Sequence, residues 1–97
     1  RGAAEPEARL DLHGMRQASA FHALVAFLRQ AQARGDRTVL VITGKGRAAD
    51  EESGVLRRAV PMWLAEPQFR QLVVGYESAA QRHGGEGAFY VRLRRRR

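Results

Sequence analysis

Arg37-Thr38-Val39-Leu40-Val41-Ile42-Thr43-Gly44-Lys45-Gly46 is the stretch from which the fold can be worked out. Its apolar run, Val39 to Ile42, does not alternate. It therefore reads as a strand over Arg37–Thr43 that has both faces covered or a central place in its sheet. The strand ends in Thr43-Gly44-Lys45-Gly46. Glycines there let backbone N–H groups approach an anion closely, and Lys45 adds a mobile positive charge. The loop lacks the Gly-x4-Gly-Lys-Ser/Thr spacing of a nucleoside-triphosphate cradle, so binding of that ligand class is unsupported. A plain strand-to-loop turn accounts for the glycines equally well.

Immediately upstream lies a helical pattern. Ala18, Phe21, Leu24, Val25 and Leu28 recur at spacings of three and four, with Gln17, His22, Arg29, Gln30 and Arg34 on the other face. Arg34 in the last turn and Gly35 just beyond it form a stop signal. The start is poorly marked, because Arg16 stands where Ser, Thr, Asp or Asn is expected and Ser19 is left as a later cap. Before the helix, Leu10-Asp11-Leu12-His13-Gly14 reads as the end of a first strand, Arg9–His13, followed by a sharp turn at Gly14. Residues two apart share a strand face, which would set the Asp11 carboxylate beside the His13 imidazole. Such a pair can move protons, although alone an Asp-x-His pair in a strand is more commonly structural. Metal binding is the weaker reading: two ligands do not make a site, and no Cys or clustered His completes one. Residues 1–8 are polar and aperiodic, as in a mobile leader.

Downstream, a polar loop over Arg47–Glu52 leads to Ser53, a credible cap for a second helix with apolar positions Leu56, Val60, Trp63 and Leu64. Pro61 inside that pattern is expected to kink or divide the helix, and Pro67 to close it. A third strand is read over Arg70–Tyr76 with Leu72, Val73 and Val74 as its core. The loop from Glu77 to Glu86 contains His83-Gly84-Gly85, where His83 is a candidate second proton carrier. The last strand, Gly87–Arg94, alternates: Phe89, Val91 and Leu93 face one way, and Tyr90, Arg92 and Arg94 face the other. An aromatic among arginines suits contact with nucleic-acid phosphates and bases.

The order is strand, helix, strand, helix, strand, strand. Two right-handed crossovers make the first three strands parallel, and a loop returns the fourth antiparallel. The fold expected is an α/β (α+β) two-layer sandwich, βαβαββ, with both helices on one face of a four-stranded mixed sheet. The carboxyl ends of the first three strands then share one edge with the N-termini of both helices. Ligand sites of open α/β sheets favour that edge, and helix N-termini favour anions there.

Ninety-seven residues make one domain, expected over 9–94, after the 1–8 leader and before a basic tail at 95–97. The formal charge is +7, and all basic residues but Lys45 are arginine, whose planar fork matches phosphate. A nucleic-acid partner is the expectation. The apolar runs are too short to span a membrane, and the first residues lack the pattern of a secretory leader. The lack of cysteine excludes disulfides and thiolate chemistry and fits a reducing, cytoplasmic setting. A first residue Arg1, not methionine, suggests a piece of a longer protein; a monomer is favoured for this piece.

Taken together, these segments resemble the Smr domain, the small MutS-related module, from Leu10 to Leu93. The resemblance rests on Leu10-Asp11-Leu12-His13-Gly14 before a helix, Thr43-Gly44-Lys45-Gly46 after the next strand, Trp63-Leu64 in the second helix, and His83-Gly84-Gly85-Glu86-Gly87-Ala88 before the last strand. It implies a two-layer sandwich similar to the C-terminal domain of translation initiation factor three. It also implies nucleic-acid work, since several Smr domains nick DNA or cleave RNA, some on ribosomes. The family's Asp-x-His motif falls on Asp11 and His13, and its His/Thr-Gly-x-Gly motif on Thr43, Gly44 and Gly46. Here the Thr form is present, and Thr43 cannot carry a proton as a histidine would.

The expected activity is endonuclease cleavage of DNA or RNA phosphodiesters. His13 would move the proton, Asp11 orient it, and Lys45 neutralise charge developing on phosphorus. Phosphate would be held by Gly14, Arg16, Thr43, Gly44, Gly46, Arg47, His83, Gly84, Gly85, Tyr90, Arg92 and Arg94. No cofactor is required if a 2′-hydroxyl attacks; with another nucleophile Asp11 is the group to meet a divalent ion, Mg or Mn. The alternatives are a non-catalytic nucleic-acid or ribosome binding module of a larger protein, and a protein-interaction module.

Overall fold

The computed structural model describes residues 5–44, 51–79 and 87–96, and for residues 51–53 the backbone alone. Along the chain come β1 (Ala8–Asp11), α1 (Gln17–Arg34), β2 (Thr38–Ile42), α2 (Glu51–Leu64), a 3-10 turn at Pro67–Phe69, β3 (Val73–Ser78) and β4 (Ala88–Leu93). They form one four-stranded sheet in the order β1-β2-β4-β3. β1 runs parallel to β2, while β4 is antiparallel to both of its neighbours, so the first three strands point the same way. The α+β sandwich expected from the sequence is the fold observed. What the sequence pattern left open was the strand order: β4 inserts between β2 and β3 and places β2 inside the sheet, which explains its unbroken apolar run.

Both helices cover one sheet face. Val39, Val41, Phe89, Val91 and Leu93 pack there against Leu24 and Leu28 of α1 and Leu56, Val60 and Trp63 of α2. Phe21 meets the rings of Trp63 and Phe69 edge to face, with centroids 5.2 and 5.9 Å apart, the geometry favoured by aromatic quadrupoles. Thus α1, α2 and the 3-10 turn share one aromatic contact. On the opposite face a small second cluster joins Leu40, Ala79 and Tyr90, flanked by Ile42 and Ala88.

The structure corrects several local expectations. α1 starts at Gln17 with Arg16 as its N-cap, so Ser19 lies inside the first turn, and the Arg16 side chain makes no capping bond. Its end is as expected: Gly35 has φ 87°, its N–H bonds the Gln32 carbonyl, and the Asp36 N–H reaches back to Ala31, which together make a Schellman motif. α2 begins at Glu51, which places Ser53 within the helix, not at its cap, and continues unbroken through Pro61. Pro61 lies within a turn of the helix end, where a lost backbone bond matters least, and Val60, Trp63 and Leu64 hold both sides of it in the core. Val74 is 54% exposed instead of core. It is the extra residue of a bulge between Val73 and Gly75 on the edge strand β3. Order also begins before Arg9: the Glu7 carboxylate accepts the backbone N–H groups of Arg37 and Thr38 and ties the start of β1 to β2. Among the described residues no helix is long and apolar enough to cross a membrane.

Candidate functional site

β1 stops at Asp11, so His13 is carried by the turn after the strand and not by the strand itself. Leu12 remains fully buried beneath the turn and donates its N–H to the Ile42 carbonyl at 2.7 Å. The Met15 N–H returns to the Leu12 carbonyl at 2.9 Å, closing a four-residue turn with Gly14 third at φ 84°. A positive φ at that place suits a type II turn and calls for glycine. His13 therefore projects from a turn whose first residue is anchored in the core.

The Asp11 Oδ1 accepts the His13 backbone N–H at 2.9 Å. The same oxygen lies 3.9 Å from Nδ1 of the imidazole, beyond a hydrogen bond. The His13 and Asp11 side chains are 63% and 58% exposed, so both are open to a ligand. Asp11 here fixes the backbone that carries His13, and its second oxygen faces no protein donor among the described residues. Arg16 is exposed three residues on, just ahead of the uncapped α1, whose first turn holds no acidic residue. The first-turn N–H groups, which no side chain among the described residues bonds, and the positive end of the helix dipole favour an anion at this place.

Thr43 and Gly44 border the same edge in a different state. Thr43 is completely buried. Its hydroxyl shares one proton between the carbonyls of Gly44, at 3.0 Å, and Gly87, at 3.3 Å. The Thr43 and Gly44 N–H groups both donate to Gly87 as well, at 2.7 and 3.1 Å. Thr43 thus ties the end of β2 to the chain entering β4, and its hydroxyl is already engaged. Gly44, at φ 94°, takes the chain out of the strand.

Other expected site residues lie elsewhere. Tyr90 is only 5% exposed and packs with Leu40 and Ala79, so its ring offers no open face for stacking. Arg92 pairs across from Thr38, the first residue of β2, whereas Ala88 pairs with Ile42, the last. Four residues of strand, about 13 Å, separate Arg92 from the His13 edge. Arg94 lies farther still in the same direction. The antiparallel return of β4 dictates this placement, so the signal was already present in the expected topology. Lys45, Gly46, Arg47, His83, Gly84 and Gly85 lie outside the described residues. For a metal ion, Asp11 and His13 supply two side-chain donors, and among the described residues no group of three or more His, Cys, Asp or Glu assembles.

A family model described as the Smr domain matches residues 10–94. Over 70 residues the chain is 43% identical to a protein of Escherichia coli K12 named probable DNA endonuclease SmrA, covering 72% of this chain and 36% of that one. It is 34% identical over 91 residues to a ribosome rescue factor SmrB of Shewanella putrefaciens, covering 94% of this chain and 47% of that one. The chain therefore spans half or less of the length of these relatives. Among solved structures, YdaL, a stand-alone small MutS-related protein from E. coli, superposes with TM-score 0.77 at 37% identity, covering 90% of this chain and 64% of that one. The Smr domain of Thermus thermophilus MutS2 superposes with TM-score 0.74 at 30% identity, covering 90% of this chain and 98% of that one.

Proposed function

This chain belongs to the Smr domain family, and from that premise we propose that it binds nucleic acid and cleaves the phosphodiester backbone at the Asp11–His13 edge. The carrying observation is an imidazole held out into solvent by a turn whose backbone Asp11 clamps. Relatives named as a probable DNA endonuclease and as a ribosome rescue factor support the same substrate class.

On RNA, His13 takes the proton of a 2′-hydroxyl as that oxygen attacks the adjacent phosphorus. The bond to the 5′-oxygen breaks, leaving a 2′,3′-cyclic phosphate and a 5′-hydroxyl, with the leaving oxygen protonated by water or by His83. The open N–H groups of α1, together with Arg16 and Lys45, offset charge on the phosphate oxygens. Contact between the Asp11 carboxylate and the protonated imidazole needs a side-chain rotation that closes the 3.9 Å gap, a tightening common when a substrate binds.

A second reading, nucleic-acid or ribosome binding without turnover, is favoured by one observation. Thr43 is buried with its hydroxyl engaged and offers no second proton carrier beside His13. Cleavage of labelled single- and double-stranded DNA and RNA, with and without chelator, separates the two. His13-dependent cleavage is expected. Equal rates for the parent and His13→Ala would remove the catalytic assignment, and salt-sensitive binding without cleavage would establish the second reading.

A further inference from the structure

At the sheet edge opposite His13, the end of α1, the start of β2 and the end of β4 surround an open concavity of about 500 Å³. Among the described residues six arginines line it, Arg34, Arg37, Arg92, Arg94, Arg95 and Arg96, against one carboxylate, Asp36. We propose that this concavity is a second phosphate site, which anchors the backbone of a nucleic-acid strand away from the Asp11–His13 edge. The inference rests on the nucleic-acid reading above and adds to it a location and a division of labour.

Two of the six arginines have structural duties. Arg34 forks onto Asp36 at 2.7 and 3.2 Å, and the Arg94 Nε donates to the Arg70 carbonyl at 2.7 Å. Glu7 lies close enough to Arg37 to feel its charge while accepting backbone N–H groups. For Arg92, Arg95 and Arg96, no carboxylate partner stands among the described residues. The negative end of the α1 dipole, worth about half a charge, offsets only a small part of this excess. Guanidinium groups crowded around one hollow repel one another, and a bound polyanion relieves that repulsion.

The hollow is also preorganised. The Gln32 side-chain amide donates both its hydrogens, one to the Gln71 carbonyl at 2.8 Å and one to the Arg94 carbonyl at 2.9 Å. The Arg94 N–H bonds the Leu72 carbonyl and the Leu93 N–H bonds that of Arg37, both at 2.8 Å. The backbone leading into the last arginines is therefore held on α1, β2 and the chain before β3. Fixing this segment in advance lowers the entropy lost when phosphates bind. Arginine forks then take phosphate oxygens two at a time.

The test is amide chemical-shift mapping on the whole chain, titrated with a short oligothymidylate and separately with tripolyphosphate. Oligothymidylate is expected to shift Gln32–Arg37 and Arg92–Arg96 as well as the His13 turn. In the triple variant Arg92→Ala/Arg95→Ala/Arg96→Ala the first set should vanish and the His13 shifts remain. Its affinity should fall about 10–100-fold at low salt, and the slope of log K against log salt should lose about two, at 0.7–0.9 per phosphate contact. Shifts confined to the His13 turn would overturn this site and leave nucleic-acid binding standing. Shifts at neither end would overturn both readings. Shifts at the arginines with tripolyphosphate alone would refute nucleic acid as the occupant. Mapping on the parent chain decides the matter even if the triple variant misfolds.

Discussion

The two ends of the β-sheet are built on opposite terms. Where β1 and β2 finish, the backbone is tightly knit: Leu12 bonds Ile42, Thr43 and Gly44 bond Gly87, and Thr43 is buried. Among the described residues, Asp11, His13 and Arg16 project into solvent there. At the other end a Gln32 clamp holds the chain, and what projects is arginine charge. The difference teaches that the Asp11–His13 pair and this cluster of arginines occupy separate places in the fold. With about 13 Å between them, one end can be altered while the other stays intact.

The largest expected effect breaks the comparison at the His13 end. His13→Ala should lower cleavage about 10²- to 10⁴-fold, the usual reach of one general acid–base, while leaving affinity unchanged. Rate and affinity measured on one labelled strand check this. Affinity falling in step with rate would show that His13 holds substrate and that the two ends do not divide the work. Next in size is Leu12→Ala. Leu12 is fully buried directly beneath the turn, and its truncation should cost about 2–5 kcal/mol in urea unfolding.

How far each end was legible depends on whether its causes are local. β2 could be read as interior from Val39 to Ile42 alone, and the α1 stop from Arg34-Gly35, because each signal lies within a few residues. The placement of β4 between β2 and β3 is set by pairing between distant segments and leaves no mark in the alternation of Phe89 to Leu93. For the same reason Leu72-Val73-Val74 read as uniform core, although an edge-strand bulge turns Val74 outward. Asp11 and His13 stood out as a pair, but the sequence could not show that the strand ends between them or that Asp11 bonds a backbone N–H. The alternation sets Tyr90 opposite Phe89, Val91 and Leu93, and the structure puts it on the face away from the helices. That the face holds an apolar cluster of its own depends on Leu40 and Ala79 meeting there.

A matched pair of glycines sharpens the comparison further. Gly14 at the His13 end and Gly35 at the arginine end have φ of 84° and 87°, and a Cβ added at either meets nothing within 4 Å. Both alanine variants should therefore lose about 1–2 kcal/mol from left-handed backbone strain alone. Their functional consequences should differ. Gly14→Ala distorts the turn carrying His13 and should slow cleavage more than it weakens binding. Gly35→Ala loosens the α1 terminus beside the arginines and should do the reverse. Identical patterns in the two variants would mean that the ends are mechanically coupled.

The smallest effect probes what binds β1 to the arginine end. Hydrogen bonds from the backbone N–H groups of Thr38 and then Arg37 hold the Glu7 carboxyl below its usual value, with a lesser contribution from the Arg37 charge. A carboxyl whose pKa is lowered by folding adds stability at pH values above its unfolded pKa, and that stability disappears as pH falls through the lowered value. Glu7→Gln should therefore cost about 1 kcal/mol at neutral pH, modest because the group is exposed. The gap between variant and parent should close as the solution is acidified. Urea unfolding of both proteins at neutral and strongly acidic pH measures this. A gap that persists in acid would mean that Glu7 acts through packing instead of its charge. The anchoring of β1 beside Arg37 would then be independent of the electrostatics that set the arginine end apart.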